Sequence, residues 1–294
     1  MENEGQADRV GRIVIVAFWI VSLIVVLFLT NILFNFFFIS PNNLEGSPNW
    51  AGYSVASNLA DPQPVIIGIN GSWTVPTVSV SQPNAFSAVW IGIGGQFDNT
   101  LIQTGTEQDS NRYSATYSAW YELLPNESVT IPTTTINVSP GDEINASISL
   151  INSTANLWSI EIADVTTGHS FQRDVVYNSS RLSAEWIVER PAVNGVGALG
   201  PLADFGSVTF TNSRITTNTS AGTIGNFPFV RFIMQNGVTP LVSLSSLSNS
   251  GSSFTVTYLS SGTTQSMMNS VLEDKIAAAP KKHILIRVEL WFYN

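Results

Sequence analysis

The sequence predicts an all-β domain behind one N-terminal transmembrane helix, and three observations carry that prediction. From Asn49 to about Ser260, short runs of Val, Ile, Thr, Tyr, Phe and Trp recur. Clusters of Gly, Pro, Asn and Ser break them roughly every 8–14 residues, the punctuation of strands and turns. Across the same stretch no segment carries a convincing amphipathic helical period. Ahead of it, Ile13 to Ile39 form one apolar run interrupted only by Ser22, Thr30, Asn31 and Asn35.

Taken in chain order, the run 13–39 comes first. As a helix it would be roughly 40 Å long, against about 30 Å of hydrocarbon. It is too long for a signal-peptide core, and no small-x-small cleavage site follows it. Being apolar on every face, it suits lipid better than a half-buried helix position. Arg9 and Arg12 precede the run, and the next basic residue is Arg112. The positive-inside bias therefore puts residues 1–12 in the cytoplasm and everything beyond a 40–48 linker outside the cell, as a single-pass membrane protein. Seven Asn-x-Ser/Thr sequons suit that side: Asn70, Asn126, Asn137, Asn145, Asn152, Asn178 and Asn218. If glycosylated, they lie on the surface.

Within 49–260 the expected strands are Pro64–Asn70, Ser87–Gly92, Tyr113–Leu123, Ser128–Val138, Glu143–Ile151 and Leu157–Asp164. Ser170–Tyr177, Ser183–Val188, Ser207–Ile215, Val230–Met234 and Ser253–Leu259 follow. Thr167-Gly168 marks a hairpin. So many strands in one stretch of this length imply a single antiparallel two-sheet sandwich or a barrel. Periodicity does not choose between them. In the tail, 261–294, His283 to Tyr293 alternates strictly and reads as one more strand.

Composition narrows the chemistry. A net charge of −9 argues against a nucleic-acid partner. No cysteine removes disulfides, thiolate nucleophiles and Cys-ligated metals. The two histidines, His169 and His283, exclude a three-His metal site. Charged residues make up only 11% of the chain, under half the roughly 25% usual for soluble domains. Between Pro48 and Ser260 six Arg face fourteen acids, and Ser, Thr and Asn take the surface instead. Such a surface gathers little positive charge when carboxylates neutralise, which suits an acidic milieu.

Several segments, in order, resemble the glutamic peptidases (eqolisins), acid-acting endopeptidases best known from fungi. They are Asn49-Trp50-Ala51-Gly52, Gly71-Ser72-Trp73-Thr74-Val75-Pro76, Val89-Trp90-Ile91-Gly92-Ile93 and Leu101-Ile102-Gln103-Thr104-Gly105. Ala119-Trp120-Tyr121-Glu122, Thr166-Thr167-Gly168, Ser183-Ala184-Glu185-Trp186-Ile187-Val188-Glu189 and Ala203 to Asn212 complete the series. The resemblance covers about Asn49 to Tyr258. It implies a sandwich of two bent antiparallel sheets, of concanavalin-like jelly-roll type, with a substrate cleft on the concave face. It also implies a catalytic pair, Gln103 and Glu185, with Trp50, Trp90 and Glu122 at the substrate. The loop after the W-x-G segment departs from the family: Ile93-Gly94-Gly95-Gln96 stands where the fungal enzymes carry an acid.

The implied chemistry needs neither metal nor cofactor, only a polypeptide substrate. Glu185 would take a proton from water and return it to the leaving amine, while the Gln103 amide donates to the oxyanion at any pH. An unshifted glutamate near 4.3 would put the optimum on the order of pH 2–4. Without the resemblance, a strand glutamate ordinarily faces solvent, and a glutamine beside Gly105 ordinarily belongs to a turn. Alternation does put Glu185, Ile187 and Glu189 on one face and Ala184, Trp186 and Val188 on the other. Two other readings stay open at this level. One is a non-catalytic surface lectin or adhesin on the same scaffold. The other is a glycoside hydrolase pairing Glu185 with Glu122.

Overall fold

Alternation decides which side of each strand is covered. The computed structural model describes residues 43–81, 84–193 and 198–260. Strands are numbered β1 to β19 in chain order. The first sheet runs, in space, β1 (Leu44–Ser47), β16 (Phe229–Asn236), β2 (Trp50–Ala56), β11 (Ser183–Glu189), β4 (Ala85–Gly94), β5 (Leu101–Ser110), β6 (Ala115–Leu123) and β7 (Val129–Thr130). The short β17 (Thr239–Pro240) pairs with β16. The second sheet runs β10 (His169–Val176), β9 (Leu157–Asp164), β8 (Glu143–Asn152), β3 (Ile66–Thr74), β14 (Ser207–Thr217), β19 (Phe254–Tyr258) and β18 (Val242–Leu244). On it β15 (Ala221–Thr223) pairs with β14. A small ribbon joins β12 (Ala192–Val193) to β13 (Ala198–Leu199). Every named pair is antiparallel except β1 with β16.

The two sheets face each other across one apolar core. Ala184, Trp186 and Val188 of β11, with Ile91, Val89 and Ile102 from its neighbours, meet Trp73, Ile148, Ile160 and Phe210 of the second sheet. Polar hooks cross the gap. The Trp186 indole donates to the Asn70 carbonyl at 2.9 Å, and the Trp73 indole to the Thr106 hydroxyl at 3.1 Å. Tyr53, Phe254 and Phe210 pack in series, at 4.7 and 4.9 Å between ring centres. Burying such rings stabilises by about 1.5–3 kcal/mol each. The fold class is therefore an all-β sandwich.

Some sequence expectations change. Of the strand expected over Ser128–Val138, only Val129–Thr130 pairs. Pro132 offers no ladder N–H, and its carbonyl accepts from the amides of Thr135 and Ile136, so the chain turns there. Ile131, Ile136 and Val138 still plug the core. Conversely, β2 and β5 are strands that β-propensity did not single out. Each mixes Gly and polar residues into an interior position of its sheet. Leu44–Ser47, within the stretch read as linker, forms β1.

The apolar run 13–39 and the tail strand His283–Tyr293 lie outside the described residues. Among the described residues no helix is long and apolar enough to cross a membrane. Six of the seven sequon asparagines are exposed. Asn70 is half-buried, and its amide donates to the Asn212 carbonyl at 2.8 Å.

Candidate active site

Five positions line up across the first sheet. Ser54 on β2 opposes Glu185 on β11, Glu185 opposes Gly92 on β4, Gly92 opposes Gln103 on β5, and Gln103 opposes Glu122 on β6. Directly opposed residues point the same way. Since Ala184 and Trp186 enter the inter-sheet core, this row occupies the face turned away from the second sheet. Two strand spacings separate Glu185 from Gln103, roughly 10 Å at the backbone, and only a glycine stands between them. A Cβ at Gly92 would lie 2.8 Å from Leu101 Cδ1, 3.0 Å from Trp90 Cζ3 and 3.2 Å from Gln103 Cβ. Glycine keeps the interval between carboxyl and amide clear.

The next row is aromatic: Ile187 opposes Trp90, Trp90 opposes Gly105, and Gly105 opposes Trp120. A Cβ at Gly105 would sit 2.6 Å from Trp90 Cβ, so this glycine admits the tryptophan. These side chains form a second apolar cluster with Ala88, Leu101 and Phe232, separate from the main core. Beyond it, Glu189 opposes Trp50 and Ala88, and Ala88 opposes Glu107. Glu189 accepts from the Trp90 indole at 2.7 Å and from the Asn49 amide at 3.0 Å. Trp50 meets Trp90 edge-on, 5.3 Å between ring centres.

A cleft of about 410 Å³ opens over these rows, lined by Trp50, Gln103, Glu107, Trp120, Glu122 and Glu189 among others. A second cavity, about 490 Å³, shares Asn49 and Trp50 with it and reaches Gln96, Phe97 and Phe232. Trp50 thus divides the two.

Carboxyls in this low-dielectric setting hold their protons tightly. Burial pushes Glu185 well above the ordinary glutamate value, opposed in part by the Ser183 and then the Ser54 hydroxyl. Burial likewise raises Glu189 to about 7, against the pull of its donors. Asp109 also reaches about 7, through burial and then the charge of Glu107. Glu107 and Glu122 rise through burial, the latter restrained by the hydrogen bond from Gln103. Glu185 Oε2, Gln103 Oε1 and Trp120 Nε1 are buried without a hydrogen-bond partner. Gln103 Nε2 donates to Glu122 Oε2 and carries a second hydrogen. The set combines a proton-avid carboxyl with a non-titrating amide donor.

Of the residues singled out in the sequence, Trp50, Gln103 and Glu122 line the cleft. Glu185 belongs to their row but is fully buried, sealed on the Ser54 side. Trp90 is also fully buried and lies beneath Trp50. His169 is exposed in its turn. Sequence reasoning missed Ser54, Gly92 as a spacer, and Glu189 as the anchor of Trp90, and it named Gln96 only as part of a departing loop, without its partner. Reading β2 as a strand would have found Ser54, because positions 50, 52 and 54 alternate onto the face of Trp50.

Comparisons with known proteins identify the family of the chain. Residues 48–258 match the model of the Peptidase A4 family. Aspergillopepsin-2 of Aspergillus niger is 31% identical over 247 residues, covering 74% of this chain and 79% of that protein. The crystal structure of scytalido-glutamic peptidase with a transition-state analog inhibitor superposes with a TM-score of 0.60 at 24% identity, covering 72% of this chain and 99% of that one. Aspergilloglutamic peptidase from Aspergillus niger gives 0.52 at 29% identity, covering 60% and 99%. The chain is a peptide hydrolase and belongs to the Peptidase A4 family of glutamic peptidases, the eqolisins.

Proposed function

We propose that the protein is an endopeptidase working in acid, tethered by residues 13–39 with residues 49–260 outside the cell, and that Glu185 and Gln103 carry its chemistry. The observation that carries the reading is the row Ser54–Glu185–Gly92–Gln103–Glu122. The scissile carbonyl lies over Gly92, with the carboxyl on one side and the amide on the other. Ionised Glu185 removes a proton from water, the hydroxide attacks the carbonyl carbon, and the spare Gln103 Nε2 hydrogen meets the oxyanion. Glu185 then delivers the proton to the departing nitrogen as the C–N bond breaks, and regains its charge. Glu122 must be protonated meanwhile, since a carboxylate against Gln103 would repel the oxyanion. Trp50, half-buried between the two cavities, offers an apolar wall to substrate side chains, while buried Trp90 supports it.

Burial shifts the expected pH dependence. Because Glu185 is raised, the acid limb of kcat/KM lies above the ordinary glutamate value, higher than an unshifted carboxyl gives. A glycosidase pairing of Glu122 with Glu185 fits poorly: three strand spacings, about 14 Å at the backbone, separate them, with Gln103 between.

Digestion of casein across the acid range, on both sides of the ordinary glutamate value, tests the reading. Wild type cleaves it, and Glu185→Gln falls by about 10⁴-fold, the upper range for a general acid–base. A Glu185→Gln enzyme within tenfold of wild type refutes the assignment. Protease added to intact cells should clip the domain; protection until lysis reverses the orientation.

A further inference from the structure

Beside the catalytic row, one hydroxyl proton is asked to serve two acceptors. Ser54 Oγ lies 3.1 Å from Glu185 Oε1 and 2.5 Å from Gln96 Oε1. A separation of 2.5 Å suits O–H···O, at about 2.5–3.0 Å, and is shorter than the roughly 2.7–3.2 Å of N–H···O. The amide therefore turns its oxygen, a pure acceptor, toward Ser54. With Ser54 donating to Gln96, the contact between Ser54 and Glu185 must use a proton carried by Glu185 itself. All three groups are satisfied only while Glu185 is protonated on Oε1. When that proton leaves for solvent, the Ser54 hydroxyl has to swing to the carboxylate, and Gln96 Oε1 loses its donor.

We infer that Gln96 and Ser54 are positioning residues that together set when Glu185 releases its proton, Gln96 by competing for the hydroxyl hydrogen that would otherwise stabilise the carboxylate. This rests on Glu185 being the base of the proposed peptidase. Gln96 sits in the loop that follows β4 and presents a neutral acceptor to Ser54. The upward shift of Glu185 comes from burial, and donation from Ser54 works against it, so diverting that hydrogen to Gln96 removes a restraint on the shift.

Other groups around Glu185 act independently of this contact, first among them the Ser183 hydroxyl, two residues earlier on β11, which favours the carboxylate. Asp98, in the loop before β5, adds like charge to it. Asp98 itself stays low, because donors from Ser180 and Thr100 outweigh its partial burial. Glu122 stands at the far end of the row, and Glu189 lies four residues along the same strand. From β16 the residue opposite Ser54 is Val230, which carries no charge.

The test is a double-mutant cycle read as pH profiles. Gln96 is half-buried in a loop, so Gln96→Leu should fold. It frees Ser54 to donate to the carboxylate, and the acid limb of kcat/KM should move down by about one pH unit, as expected for one hydrogen bond to a charged group. In a Ser54→Ala background the same Gln96→Leu change should add no shift. An unmoved limb, an upward shift, or the same shift without Ser54 overturns the inference. An infrared titration keeps the two readings separable, since the protonated-carboxyl band abolished by Glu185→Gln reports the proton whatever the enzyme cleaves. If that band titrates lower in Gln96→Leu while Glu185→Gln still hydrolyses casein, the relay stands and the catalytic assignment falls. If Glu185→Gln is inactive and the band does not move in Gln96→Leu, the relay falls alone.

Discussion

The outer faces of the two sheets are built from opposite materials. On the second sheet, Ser207, Thr209, Asn145 and Thr216 point to solvent, and cross-strand hydroxyl pairs such as Thr209–Thr255, 2.9 Å apart, knit the surface. On the first sheet, the equivalent face carries Trp50, Trp90 and Trp120 between rows of carboxyls, and most of it is buried. Burying Glu185 fully and four further carboxyls in part costs folding free energy unless they stay neutral. A sheet surface needs no such arrangement, as the second sheet demonstrates. What distinguishes the first face is that its costs fall on residues able to move a proton or orient a carbonyl. The contrast locates the working surface without reference to any relative.

The largest effect expected from disturbing that face without unfolding it comes from Gln103→Ala. Turnover should fall by about 10²–10³ with little change in KM, because the lost donor acts on the transition state. Steady-state kinetics on one peptide decides this, and an equal rise in KM would make Gln103 a binding group instead. Gly92→Ala comes next. Its methyl group would press on Leu101, Trp90 and Gln103, and a displacement approaching 1 Å at the pair costs roughly 10²-fold. A Gly92→Ala enzyme with full turnover would mean that the interval between carboxyl and amide is not where substrate lies.

Acidity should separate the two faces in stability as well. Glu107, Asp109, Glu122, Glu185 and Glu189 all bind their protons more tightly folded than unfolded. Folding therefore takes up protons, and stability falls as pH rises. Their contribution is whole below the ordinary carboxylate range near 4. It is lost as pH climbs through about 7, the value reached by Asp109 and Glu189. Melting temperature should drop between pH 4 and pH 8, and Asp109→Asn with Glu189→Gln should flatten the slope. A Tm that rises toward neutrality would contradict the buried-carboxyl picture. Smallest of all is Thr209→Ala on the second sheet, which should change stability by no more than about 0.5 kcal/mol and leave kcat/KM untouched.

Much of this was legible in the sequence, and the failures share a cause. β8, β9, β11 and β14 announce themselves, because one side of each is apolar and the other polar. β5 does not: Leu101-Ile102-Gln103-Thr104-Gly105 puts an amide and a glycine where a central strand ordinarily carries β-branched side chains. Its functional residues hid its secondary structure. Gln103 and Glu185 were reached through motif resemblance, which strand periodicity alone did not supply. The meeting of Ser54 with Gln96 was out of reach, since it depends on the β2–β11 register together with a loop 42 positions further along the chain. The burial of Glu185 and Trp90 likewise follows from packing between rows, and a one-dimensional pattern does not contain it.

The most direct measurement is the pH profile of Gln103→Glu beside that of wild type. If Gln103 binds the oxyanion, the protonated acid can still donate at low pH, and part of the activity should survive at the acid end of the wild-type profile. Once ionised, the new carboxylate would repel the oxyanion, and activity should collapse at lower pH than in wild type. A Gln103→Glu profile that tracks wild type across the whole range would contradict oxyanion binding by Gln103, and with it the division of labour between Gln103 and Glu185.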